Sequence, residues 1–166
     1  MKKLCLTFIL CLVWTGSAWA HGDISSLPNA AQIMQYRLLL YMSPDDPAPR
    51  NNLAMALYRT NQLEEAEKEL KYILKRDPVN FDALDGLGIV LIRMDRLQEA
   101  LEHFKKALGI NEKDVMVHVH LSVVYTKMNL AERAQSELEK ARSLTSDPAE
   151  LENIEKELKL VSGVLE

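Results

Sequence analysis

Small side chains return along this chain at an interval of 34 residues, in step with large apolar ones, and a period of that length points to stacked helical hairpins. With Pro47, Phe81 and Val115 as position 1 of three units, position 8 is Ala54, Gly88 and Ser122, and position 20 is Ala66, Ala100 and Ala134. Bulk falls beside them: Leu53, Leu87 and Leu121 at position 7, Leu57, Leu91 and Tyr125 at position 11, Leu70, Phe104 and Leu138 at position 24. Ile73, Ala107 and Ala141 follow at position 27. Antiparallel helices approach to about 8–10 Å only where a small surface faces a bulky one, so the alternation suits a packed hairpin. A lone hairpin cannot bury its apolar face, so the units must stack. The expected fold is an all-α solenoid of three hairpins spanning residues 47–80, 81–114 and 115–148.

The turns repeat too. Position 15 is Asn61, Asp95 and Asn129, residue types that either take the left-handed conformation ending the first helix or cap the second through a side-chain oxygen. Glu64, Gln98 and Glu132 lie three residues on, the spacing of a capping box in every unit.

Together these residues resemble the tetratricopeptide repeat, whose pattern has small residues at positions 8 and 20, bulk at 4, 7, 11 and 24, Ala at 27 and Pro at 32. The resemblance runs from residue 47 to about residue 148. Pro78 is the position-32 proline, which Glu112 and Ser146 replace in the later units, and position 4 is Arg50, Leu84 and His118 where the family usually has Trp.

Residues 1–20 have the composition of a secretory signal: Lys2 and Lys3, an apolar run from Leu4 to Trp14, then Ala18-Trp19-Ala20 as the cleavage site. Leu4 and Leu10 precede Cys5 and Cys11, which disfavours lipidation. The mature chain is expected to begin at His21, to contain no cysteine, and to occupy a bacterial periplasm or be secreted. A polar leader, His21 to Pro28, should precede a helix from about Asn29 to Met42 that reads as the second helix of a unit lacking its first, with Tyr36, Leu39 and Pro44 at positions 24, 27 and 32. This leading segment covers residues 21–46. At the other end Asp147-Pro148-Ala149-Glu150 combines an N-cap, an N1 proline and a capping acid. The final helix, 149–166, has Leu151, Ile154, Leu158 and Val161 on one side, and is expected to close the stack.

The chain holds 24 Asp and Glu against 20 Lys and Arg, a net charge of −4, and loss of Lys2 and Lys3 would make it more acidic. Nucleic acid is therefore an unsuitable partner. No nucleophile elbow, glycine-rich phosphate loop or structural-zinc spacing occurs, so no catalytic residue and no cofactor is expected. His118 and His120, two apart on a helix, point in different directions; His118 reads as a packing residue, His103 as exposed. Cleavage would join the His21 imidazole to a free α-amine, a donor pair suited to copper or nickel. That makes metal handling one alternative function. Structural self-assembly of solenoids is another.

The resemblance implies a concave groove lined by positions 2, 5, 9, 12 and 13 of each first helix. Those are Ala48, Asn51, Met55, Tyr58 and Arg59; then Asp82, Asp85, Ile89, Ile92 and Arg93; then Met116, Val119, Val123, Thr126 and Lys127. Met55, Ile89 and Val123 would form an apolar floor open to a peptide or helix, flanked by a basic row of Arg59, Arg93 and Lys127. Members that grip a C-terminal carboxylate use Lys, Asn and Arg at positions 5 and 9, which Met55, Asp85, Ile89, Val119 and Val123 do not supply. The implied role is a non-catalytic adaptor or assembly factor for an envelope protein. On this reading an acid at Ile89 would abolish capture and leave stability intact.

Overall fold

The computed structural model describes Ile24 and residues 27–162, with side chains as far as Lys159. The signal segment, His21 and the Val161 side chain lie outside the described residues. Among the described residues eight α-helices follow in order: α1 Asn29–Met42, α2 Pro47–Arg59, α3 Leu63–Arg76, α4 Phe81–Arg93, α5 Leu97–Ile110, α6 Val115–Lys127, α7 Ala131–Leu144 and α8 Pro148–Ser162. The first helices of the hairpins start at Pro47, Phe81 and Val115, which is position 1 of each unit. Hairpins α2/α3, α4/α5 and α6/α7 are stacked through α3 on α4 and α5 on α6, and α1 packs on α2.

Packing explains the period. Ala54, Ala66, Ala100 and Leu70, Phe104, Leu87 and Leu91 are all 0% exposed. At Gly88 a Cβ would stand 2.4 Å from the Phe104 ring, closer than any carbon can sit, so position 8 of the second unit admits only hydrogen. At Gly86 the approach is less tight: a Cβ there would stand 3.2 Å from Leu70, 3.4 Å from Asn51 Oδ1 and 3.5 Å from Met55 Sδ.

Asn61, Asp95 and Asn129 have φ of 61°, 59° and 59°, and behind each the chain closes on the preceding helix: Gln62, Arg96 and Leu130 donate their N–H groups to Leu57, Leu91 and Tyr125 carbonyls at 2.9, 2.9 and 2.8 Å. Asn and Asp tolerate this left-handed conformation better than other side chains. The expected capping box does not form. The N-cap residues of α3, α5 and α7 are Gln62, Arg96 and Leu130, one position later, and none makes a side-chain cap. Glu64, Glu99 and Glu132 instead lie in the first turns, where a carboxylate is favoured by the helix dipole. Side-chain caps occur on the first helices: Asp46, Asn80 and Asp114 accept from the N–H groups of Ala48, Ala83 and Val117.

The final helix departs from the stack. Asp147 caps it as expected, accepting from the Ala149 N–H at 2.9 Å. The earlier joints between units are closed by Asp77 and Asn111, whose N–H groups donate to Ile73 and Ala107. At the last joint Thr145 is extended, φ −132° and ψ 147°, which redirects the chain. As a result α8 packs on α6 and reaches back to α4, both first helices, rather than continuing the series of layers. Ile154 is buried with Val119 and Ala141, whereas Leu151 is 37% exposed. The end of the third unit is correspondingly uncovered. Ser122, Thr126, Ala134, Gln135, Leu138 and Arg142, together with Leu158 of α8, line an open hollow of about 340 Å³. Leu138 is only half-buried at the position where Leu70 and Phe104 are fully enclosed.

Candidate partner-binding site

The face formed by α2, α4 and α6 changes character along the stack. In the first unit Asn51 and Met55 are half-buried and Arg59 is exposed. In the second, Asp82 and Arg93 are exposed and Asp85 is half-buried; in the third, Met116 is half-buried while Thr126 and Lys127 are exposed. Tyr58, Ile89, Ile92, Val119 and Val123 are buried, at 2%, 7%, 2%, 0% and 3% exposure. The open apolar floor expected from Met55, Ile89 and Val123 is thus reduced to Met55: Ile89 and Val123 belong to the main core and Val119 to the cluster with Ile154. What lies open is a polar surface with Met55 in it.

Two polar atoms of the first unit's share have no hydrogen-bond partner although they are buried: Asn51 Oδ1 and the Tyr58 hydroxyl. Buried groups of this kind are ordinarily paired. The Arg93 guanidinium stands 5.2 Å from the Tyr58 ring centroid, within cation–π range. The expected basic row is not uniform, because Arg59 donates to Gln32 Oε1 at 2.8 Å and to Asn29 Oδ1 at 3.2 Å and so ties α1 to α2.

The histidines have separate roles. His118 is buried, with Nδ1 2.7 Å from Glu137 and Nε2 3.1 Å from the Glu112 carbonyl, a packing residue satisfied by α7. Burial alone would raise the Glu137 carboxyl, but hydrogen bonds from Lys140 and His118 hold it below the usual range. His103 is half-buried rather than exposed, and burial lowers its pKa. His120 is 2% exposed, with Nδ1 2.7 Å from Asp85 of α4 and Nε2 3.4 Å from Glu157 of α8; its ring centroid is 5.3 Å from that of Phe104. Burial pushes against the charged ring, yet the charge and hydrogen bond of Asp85, joined by Glu157, lift its pKa to about 9. A charged imidazole donates from both nitrogens, so His120 joins the second unit, the third unit and α8. Its partner Asp85 was legible only as a groove position, because Asp85 lies 35 residues along the chain from His120. Among the described residues no cluster of three or more His, Cys, Asp or Glu is arranged to hold a metal.

Three helical hairpins in register, flanked by further helices, define an α-solenoid. Residues 51–115 and residues 91–156 each match a family model described as tetratricopeptide repeat, and this chain carries tetratricopeptide repeats. Among solved structures, a thermophilic TPR protein of Thermus thermophilus superposes with a TM-score of 0.69 at 21% identity, over 82% of this chain and 74% of that one. MamA from AMB-1 superposes with a TM-score of 0.59 at 26% identity, over 68% of this chain and 66% of that one. An Hsp70-Hsp90 organizing protein of Triticum aestivum is 28% identical over 88 residues, 53% of this chain. The chain spans only 15% of that protein's length.

Proposed function

We propose that the chain is a non-catalytic adaptor that docks a protein partner on the face formed by α2, α4 and α6, and that it works in the bacterial envelope after cleavage following Ala20. Tetratricopeptide proteins generally mediate protein–protein interaction. The observation that carries the reading here is the accessible stretch of the face across the first two units, where half-buried Asn51 and Met55 stand with the exposed Asp82 and Arg93. A partner laid along the face would cover Met55, and the exposed Asp82 and Arg93 would steer it. The Asp82→Lys, Arg93→Glu double variant tests this: capture of envelope proteins should fall sharply while the melting temperature holds, and full capture by the variant would move the site elsewhere.

A second reading, association of copies through α1, is favoured by one surface. Met34, Leu38, Tyr41 and Met42 are 75%, 58%, 86% and 75% exposed and share the outward side of α1. The counterparts of Met34 in the other second helices are Lys68, Glu102 and Ser136, and those of Tyr41 are Lys75, Gly109 and Ser143, so at these two places α1 alone carries a large apolar side chain. Large exposed apolar patches mark interaction sites. Sedimentation across a concentration range, with and without Leu38→Glu, tests it: a dimer lost in the variant supports the reading, and a monomer throughout contradicts it.

A further inference from the structure

The last helix is held by little. Of its described side chains only Ile154 is buried, with Glu157 and Leu158 half-buried and the remainder exposed. What it covers is far more apolar than what it presents: Val119 is 0% exposed and packs in one cluster with Ile154, and His120 turns one nitrogen to Glu157. Its joint to α7 lacks the closure seen at the other two joints, the ψ of Thr145 being 147° against 87° at Asp77 and 92° at Asn111. The seat that a closing helix would be expected to take, over Ala134 and Leu138, is left as an open hollow to which α8 contributes Leu158. A helix that leaves its stacking seat uncovered and lies against the first helices occupies the same kind of surface as a bound partner segment.

We propose that α8 is a resident occupant of the binding face, and that the surface beneath it, centred on Val119 and His120, docks an amphipathic partner helix carrying the same three contacts. Those contacts are an aliphatic side chain, a carboxylate three residues later and a second aliphatic side chain directly after it, as in Ile154, Glu157 and Leu158. This rests on the reading that the partner binds the α2, α4 and α6 face, and assigns the third unit's part of it. The chemistry is complementary: Val119 and neighbouring apolar groups receive the aliphatic side chains, and the His120 imidazole, already engaged on its other side by Asp85 at 2.7 Å, offers its Nε2 to an acid. The charged groups that meet His120 are Asp85 from α4 and Glu157 from α8, and the Phe104 ring of α5 lies on its flank. A partner of basic or purely apolar character would leave the imidazole buried without its second acceptor, which is costly.

A fluorescent peptide of residues 147–162 is the probe, titrated against the full chain. The parent, with α8 in place, should bind it weakly, whereas the Ile154→Asp chain, whose own helix is released, should bind at least about tenfold more tightly. Peptides altered as Ile154→Ala or Glu157→Lys should lose about that factor again; these changes leave the protein itself untouched. Should Ile154→Asp melt without cooperativity, Glu157→Lys in the chain is the releasing substitution, since it places a cation against His120 and spares the apolar contact. A folded, released variant without saturable peptide binding overturns the proposal, as does equal binding of parent and altered peptides. A released variant that dimerises without binding the peptide assigns the surface to α8 of a second copy and likewise overturns it. The adaptor reading fails separately: no partner would then be captured through Asp82 and Arg93, whatever the peptide does.

Discussion

The second and third units place the same repeat positions in different surroundings. In the second unit Ile92, Ala100 and Phe104, at positions 12, 20 and 24, are 2%, 0% and 0% exposed, because α6 covers them. Their counterparts in the third unit are Thr126, exposed, Ala134, 7% exposed, and Leu138, half-buried, because α8 has turned toward the first helices. Register alone therefore does not set burial. What sets it is the neighbour that arrives next, and the last neighbour in this stack has gone elsewhere.

The largest expected effects lie at the enclosed positions. Ile89→Asp places a lone carboxylate in the main core, a change of a kind that costs about 3–5 kcal/mol, so the variant should melt far below the parent. That reverses the expectation of an open groove floor, and an unchanged melting temperature would restore it. Phe104→Ala should cost about 3–5 kcal/mol, while Leu138→Ala at the same position of the third unit should cost less than half as much. Denaturant unfolding measures both, and equal losses would mean that the third unit's end is covered.

Overpacking should give a smaller contrast of the same sign. Ala100→Leu forces extra volume into a closed helix contact and should destabilise by about 1–3 kcal/mol. Ala134→Leu projects toward the open hollow and should be close to neutral. If the two variants unfold together, the difference between the units is not one of covering.

A pH effect should be smaller and local. His120 has a folded pKa of about 9 against an ordinary 6.5, so its contribution is fully present below about 6.5 and is lost as the pH rises through about 9. Amide exchange in α8, corrected for its intrinsic pH dependence, should lose protection across that window, while α4 and α5 keep theirs. Protection of α8 that does not change would show that His120 does not hold it.

The comparison also separates what the sequence reveals from what it hides. The period, the small residues at positions 8 and 20, and the Asn/Asp turns are local or near-local signals, and the helix starts at Pro47, Phe81 and Val115 follow them. The left-handed Asn61, Asp95 and Asn129 were legible as one of two options; the competing capping box failed because those residues end the first helix and leave the N-cap position to the residue after. The face itself was harder to read. Ile89, Val119 and Val123 carry the apolar character of a groove floor, but so does any core residue, and only the arrival of neighbouring helices tells the two apart. The course of α8 depends on the backbone at Thr145, and its clasp on His120 joins residues far apart in sequence; neither leaves a periodic mark.

The most direct test places a photo-crosslinking side chain at Met55, the half-buried apolar residue of the first unit's face, and separately at Lys75, exposed on the second helix of the same unit, in the full chain inside the producing cells. A specific protein adduct from Met55 and none from Lys75 is the predicted result. Adducts from Lys75 with none from Met55 would put the partner on the opposite layer of the solenoid and contradict the docking face described here.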